Sequence, residues 1–298
     1  MKVLITGSNG LLGQKIIHRL REVDSISLIA TSRGENRVTI KSGYKYISLD
    51  ISNFSIVEKV LFSEKPDIII NTAAMTNVDK CEDNIEECDL INVKSVENLL
   101  RISKKLKSHF IHISTDFIFD GNNGPYSEDD IPNPLSYYGL SKLKSENILL
   151  NSDIKWTIIR TIVVYGVAEN LSKGNIVVWA KKALENGDPL HIIDDHFRSP
   201  TLAEDLAEAC VLCFTRKKYG IFHVSGKEIM SIYKMVKEIA DYYGYSTNNL
   251  HRITSDTLDQ KAKRPRKSGF YLQKSIKELG YNPHSFKEGL SIIDKQLN

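Results

Sequence analysis

The chain has 298 residues, enough for one large domain or two smaller ones around a sizeable core. Its 41% hydrophobic and 26% charged residues are ordinary for a globular protein, and 40 basic against 37 acidic side chains leave +3, which argues against a nucleic-acid or membrane partner. No apolar run approaches membrane-spanning length, the apolar start is not a signal peptide, and Cys81, Cys88, Cys210 and Cys213 are too few and scattered for a disulfide framework, so a reducing cytoplasm is expected.

The first predicted strand, "KVLIT", runs into "TGSNGLLG", which sets glycines at 7, 10 and 13 ahead of a predicted helix. Glycines there permit a tight turn and let backbone N–H groups approach a pyrophosphate at the helix N-terminus, so dinucleotide binding is expected. The second strand, "ISLIAT", ends at Ser32 and Arg33, where an acidic residue would select the ribose hydroxyls of NAD(H). A hydroxyl and a guanidinium suit a 2′-phosphate, which favours NADP(H) over NAD(H). Asp50, closing the third strand "YISL", reaches the adenine edge or caps the next helix. Behind the fourth strand, "DIIIN", the small residues Thr72, Ala73 and Ala74 let a cofactor lie against the strand end. Asn92 stands mid-helix in "INVKSVENLL", where it either faces water or fixes a group inside.

In the fifth strand, "FIHIS", His112 stands three residues after His109, so the pair points to opposite faces and cannot share a metal. The stretch "PLSYYGLSK" then places two tyrosines ahead of a lysine, with Pro134 at a first helical position and Asn133 as its cap. Tyr138 and Lys142 are four residues apart and share a helix face, whereas Tyr137 is turned about 100° away. An ammonium about 4 Å from a phenolate is worth roughly 4 kcal/mol at an effective dielectric of about 20, enough to draw the phenol toward neutrality.

A sixth strand, "WTIIRT", completes an alternation of short apolar and longer amphipathic segments that predicts a Rossmann-type, doubly wound parallel sheet over residues 1–160, completed by about 200–220. Residues 161–298 read mainly as a smaller, interleaved substrate-binding lobe: a helix near 175–186, the strand "PLHIID", a helix near 201–214, the strand "IFHVS" and three further helices. Cys210 and Cys213 lie in "LAEACVLCF", where helical apolar spacing points to packing rather than metal or redox chemistry. The cleft between the lobes is the expected ligand site.

Taken in order, "TGSNGLLG", "NTAA", "INV", "ISTDFIFDG", "YYGLSK", "SPTLAEDLAEA" (199–209) and "KRPRKSG" (263–269) resemble the extended short-chain dehydrogenase/reductase family over nearly the whole chain. The branch they are most similar to is that of dTDP-4-dehydrorhamnose reductases. The resemblance implies a cytoplasmic, NADP(H)-dependent reduction of a nucleotide-linked 4-keto-6-deoxy sugar, compatible with a homodimer. It implies that Tyr138 protonates the ketone oxygen, that Lys142 lowers the tyrosine pKa and holds the nicotinamide ribose, and that Thr115 hydrogen-bonds the same oxygen.

The implied cofactor contacts are Gly7, Asn9, Gly10, Leu11 and Gly13 at the first turn, then Ser32, Arg33, Asp50, Ile51, Thr72, Ala73, Ala74 and Asn92, with Tyr138 and Lys142 at the reacting end. The implied sugar contacts are Thr76, Val78, Asp116, Phe117, Val163, Asn175, Arg198 and Arg264, and no metal ligand is implied. Two departures fall in the sugar-reading part. Val163 stands where related reductases carry tryptophan, and "DHFRSPT" puts His196 and Arg198 where they carry glutamine and glycine. A dehydratase of the same family has Asp-Glu after the threonine; here Asp116 is followed by Phe117, which disfavours water loss. A non-catalytic alternative is the resemblance to the regulatory subunit of methionine adenosyltransferase.

Overall fold

The computed structural model describes residues 1–170 and 174–297. The first half runs β1 (Lys2–Thr6), α1 (Leu11–Leu20), β2 (Ser27–Ser32), β3 (Lys45–Ser48), α2 (Phe54–Glu64), β4 (Ile68–Asn71), α3 (Val78–Asp83), α4 (Ile85–Asp89), α5 (Ser95–Leu106), β5 (His109–Thr115), α6 (Tyr137–Leu150) and β6 (Trp156–Thr161). The second half runs β7 (Val164–Tyr165), α7 (Ile176–Asn186), β8 (Leu190–Ile193), β9 (Phe197–Arg198), β10 (Thr201–Leu202), α8 (Ala203–Thr215), β11 (Gly220–His223), β12 (Met230–Ser231), α9 (Ile232–Tyr243), β13 (Leu250–Ile253) and α10 (Phe286–Leu297).

Seven strands form one sheet in the order β11-β6-β5-β4-β1-β2-β3, every neighbouring pair parallel. The order reverses between β1 and β4, which opens a crevice at their carboxyl ends. Alternate residues of each strand face opposite layers. Val3, Ile5, Ile111 and Ile159 pack on the face carrying α1 and α8, and Leu4, Ile69, Phe110 and Ile158 on the face carrying α2 and α5. Cys210 and Cys213 are buried within the first of these layers. A third apolar cluster joins α7, α9 and α10 around Val177, Met235, Ile239 and Phe286.

Two local expectations change, and one left open is decided. Helix α6 starts at Tyr137 with Ser136 as its cap, its hydroxyl accepting from Gly139 N at 3.3 Å, in place of a start at Pro134 capped by Asn133. The hydroxyl oxygen of Ser136 can accept the first-turn N–H, whereas Asn133 lies three residues further back and turns its side-chain amide to Asp120. Of the three helices expected near the end, two are α-helical and the third is a single π-helical turn at Ser275–Leu279. A second π turn, Leu90–Lys94, joins α4 to α5 and carries Asn92. The extra residue in such a turn changes which side chains face inward, and Asn92 is buried, 1% exposed.

Candidate active site

A cavity of about 920 Å³ follows the carboxyl ends of the strands, from the glycine turn through Ser32, Arg33 and Asp50 to Thr115 and Tyr138. At its start Gly7 adopts φ +70°, and a Cβ there would stand 2.7 Å from Ala73 N. Only glycine fits, because the turn is both left-handed and pressed against the loop after β4. No side chain caps α1, so its first-turn N–H groups are left for a ligand in the cavity. Asn9 pins the loop after β2, donating to Glu35 O at 2.8 Å and accepting from Arg37 N at 2.9 Å. That loop carries Arg33 and Arg37 to the same end of the cavity. Arg33 is exposed and lies 3.9 Å from Asp50, whose carboxylate also accepts from Ser52 N and Oγ. These hydrogen bonds outweigh partial burial and hold the Asp50 pKa below its ordinary value.

At the other end, α6 and the turn after β5 meet closely. A Cβ on Gly139 would stand 2.1 Å from Phe117 O, so this glycine lets Tyr138 approach Thr115. The Tyr138 ring packs edge-on against Phe117 with centroids 5.7 Å apart. Tyr137 is turned away: its hydroxyl accepts from Lys144 Nζ at 3.0 Å and its N–H donates to Glu82. Asp116 is buried; burial raises its pKa against the pull of Arg198. Ser268 donates to Asp116, which ties the turn to the 263–269 segment.

Tyr138 and Lys142 both line the cavity, but the hydrogen-bond partner of the lysine is another residue. Lys142 Nζ bonds His112 Nε2 at 3.0 Å, and burial lowers its pKa to about 8. Burial raises the Tyr138 pKa, with the Thr115 hydroxyl opposing it, so desolvation dominates where depression was expected. Helix α6 is anchored by Glu146, which accepts from Arg160 Nη2 at 2.8 Å; these residues are 0% and 2% exposed.

Of the residues singled out from sequence, Gly7, Asn9, Gly10, Leu11, Gly13, Ser32, Arg33, Asp50, Ile51, Thr72, Ala73, Ala74, Thr76, Val78, Thr115, Asp116, Phe117, Tyr138, Lys142 and Val163 line the cavity. Five others lie off it, with their polar groups engaged in the protein. Asn92 Oδ1 accepts from Met75 N at 2.8 Å and its Nδ2 donates to Ser141 Oγ at 3.0 Å, so it joins the loop after β4 to α6. Asn175 caps α7 and donates to Gly166 O. Arg198 is buried and donates to Phe197 O and Pro265 O. Arg264 pairs with Asp79 at 2.6 Å. His196 is buried, and its carbonyl accepts from Ile232 N. Sequence reading missed Ser114 and Arg37, both on the cavity. Ser114 Oγ is buried without a partner, and its position at the end of the apolar strand before Thr115 was the available signal.

The whole chain, residues 1–298, matches the family model described as RmlD substrate binding domain. It is 32% identical to a solved dTDP-4-dehydrorhamnose reductase of Clostridium acetobutylicum, with a TM-score of 0.87 over 100% of this chain and 99% of that one. A dTDP-4-dehydrorhamnose reductase of Bacillus anthracis, solved in complex with NADP, is 26% identical with a TM-score of 0.85 over 99% of each chain. Methionine adenosyltransferase 2 subunit beta of Bos taurus is 32% identical across 272 residues, 89% of this chain and 78% of the relative. With a glycine turn, a switch-point cavity and a threonine-tyrosine-lysine set on a seven-stranded parallel sheet, the chain belongs to the RmlD substrate binding domain family of Rossmann-fold, extended short-chain dehydrogenase/reductase proteins.

Proposed function

We propose that this protein is an NADPH-dependent reductase of a nucleotide-diphosphate-linked 4-keto-6-deoxy sugar, of the dTDP-4-dehydrorhamnose reductase type. The observation that carries this reading is one continuous cavity with an uncapped helix start and two arginines at one end and Thr115 with Tyr138 at the other. The residues fit a dinucleotide: first-turn N–H groups for the diphosphate, Arg33 and Arg37 for a 2′-phosphate, and the Ser114 hydroxyl awaiting a partner near the reacting end. NADPH bound there would supply the hydride. Tyr138 donates its proton to the ketone oxygen, and the Thr115 hydroxyl hydrogen-bonds that oxygen as charge develops on it. Lys142 places positive charge beside the phenol as it loses its proton.

Residues up to 160 together with β11 serve as the cofactor half, and much of the remainder as the substrate lobe. Thr76, Val78, Phe117 and Val163 line the part of the cavity where the sugar would sit. The absence of a second carboxyl after Asp116 supports ketone reduction over dehydration. The direct test is loss of NADPH absorbance with a panel of nucleotide-linked 4-keto sugars. Turnover of dTDP-4-dehydrorhamnose is the expected result. A second reading, a regulatory subunit for a methionine adenosyltransferase, is favoured by the similarity to the bovine subunit. Inertness toward every keto sugar, together with copurification with such a synthetase, would replace the first reading by the second.

A further inference from the structure

Behind the cavity wall a row of buried polar side chains leads away from Lys142. Lys142 Nζ is 3.0 Å from His112 Nε2, and the same ring nitrogen is 3.0 Å from Ser145 Oγ. The other ring nitrogen, Nδ1, is 3.2 Å from the Asn71 amide, whose far end meets Thr6 Oγ1 at 2.5 Å. None of these side chains is more than 2% exposed. The row takes Thr6 from β1, Asn71 from β4, His112 from β5, and Lys142 with Ser145 from α6, so each of four elements contributes to it. We infer that His112 is a positioning residue for Lys142: its neutral imidazole accepts from the ammonium, fixes it at the cavity that Tyr138 also lines, and keeps it protonated. This inference rests on the reductase reading only for its activity arm.

The alternatives are limited. Among the described residues His112 is the hydrogen-bond partner of Lys142 Nζ. Imidazolium is excluded at neutral pH, because burial and the adjacent ammonium both drive the His112 pKa well down. A neutral ring has one donor and one acceptor nitrogen. With Lys142 charged, Nε2 accepts from it, the Ser145 hydroxyl keeps donating to Lys142 O at 2.7 Å, Nδ1 carries the proton, and the Asn71 amide must turn its oxygen to the ring and its NH2 to Thr6. With Lys142 neutral, the reverse orientation serves, and both orientations fill the same space. Other charges at the site are Glu146 and the ionised form of Cys88, whose pKa is lowered to about 7; both favour the ammonium, while Arg160 pairs with Glu146 and Asp116 acts on Tyr138. Glu146 and Cys88 act on Lys142 through charge alone, whereas the imidazole is the group that accepts a hydrogen bond from its Nζ.

The test compares His112→Phe, which removes the acceptor, with His112→Gln, which keeps one. The first readout is a carbon-13 NMR titration of Lys142 Cε in the lysine-labelled full chain, assigned with Lys142→Arg. The second is the pH profile of kcat/KM for NADPH-dependent keto-sugar reduction. His112→Phe should lower the Lys142 midpoint by about one pH unit or more and move the alkaline limb of kcat/KM with it, a roughly fivefold loss at the wild-type midpoint that grows toward about tenfold above it. His112→Gln should restore most of that shift. Asn71→Ala, which leaves the ring but removes its orienting amide, should shift the midpoint the same way by less, and serves if His112→Phe does not fold. A midpoint unmoved in folded His112→Phe or Asn71→Ala, or moved as far by His112→Gln as by His112→Phe, overturns the inference. A uniform loss of rate at all pH values with the limb in place assigns His112 to packing alone and overturns it too. If the wild type reduces no keto sugar, the functional reading fails while the NMR titration still decides the role of His112.

Discussion

The two ends of the cavity are built differently. At the reacting end, Thr115, Tyr138 and Lys142 face the cavity while buried partners hold the elements behind them: Gly139 against Phe117, Glu146 against Arg160, and His112 against Lys142. Away from that end, the polar residues expected to read the sugar are spent on the protein itself. Arg198 carries backbone carbonyls of the 265–266 loop, Arg264 carries Asp79, and Asn175 caps a helix. Val163 alone of the two departures reaches the cavity, and it does so with φ +38°, a conformation that β-branched residues rarely adopt. On the proposed reading, the chemical end is thus set by side chains that line the cavity, and the specificity end by the shape of the backbone that those buried charges hold.

The comparison can be broken most directly at the reacting end. Tyr138→Phe should lower kcat by about 10² to 10⁴ while leaving NADPH binding close to normal, because it removes the proton donor and keeps the ring. Tyr137→Phe should change turnover little, since that hydroxyl faces Lys144 and Asp89. Equal losses in the two variants, read by NADPH oxidation, would reverse the assignment.

The anchor behind that end should be nearly as sensitive. Glu146→Leu leaves Arg160 buried without its carboxylate, a change that typically costs about 3 to 5 kcal/mol, measurable by urea denaturation. Lys142 should give a pH signature of opposite kind. Its pKa is lowered by burial from 10.5 to about 8, so between these values the unfolded chain binds the extra proton. Wild-type stability should therefore rise with pH across that window, and Lys142→Met should be more stable than wild type at neutral pH and lose that advantage as the pH climbs toward 10.5. Parallel stability curves for the two proteins would mean that Lys142 is solvated.

Smaller effects sharpen the contrast at the other ends. Arg33→Ala and Arg37→Ala should each raise the KM for NADPH roughly tenfold, about 1.5 kcal/mol for a charge-assisted phosphate contact, and leave the KM for NADH nearly unchanged. The smallest change is expected from Val163→Trp. A ring facing the sugar is worth about 0.5 to 1.5 kcal/mol, a two- to twelvefold tilt in kcat/KM toward dTDP-4-dehydrorhamnose over a bulkier keto sugar, against an overpacking cost of about 1 to 3 kcal/mol. An unchanged ratio in folded, NADPH-binding protein would mean that position 163 does not touch the sugar.

What the sequence determined on its own is whatever depends on short-range periodicity. Strands such as "KVLIT" and "WTIIRT", and the turning of Tyr137 away from the cavity that Tyr138 lines, follow from which residues share a face two, three or four positions apart. Residues on loops after strands, from Gly7 to Thr115, were legible because a parallel sheet with a switch point puts every such loop at one end. Tertiary structure alone decided where long polar side chains go. Lys142 turned to His112, thirty positions away, Arg198 to the 265–266 loop, and Asn92 through a π turn to Met75 and Ser141. Such a side chain spans several ångströms and, once buried, must take whichever partner the packing brings near, because leaving it unpaired costs about 1 to 3 kcal/mol or more. That partner is set by elements distant in the chain, which no local pattern encodes.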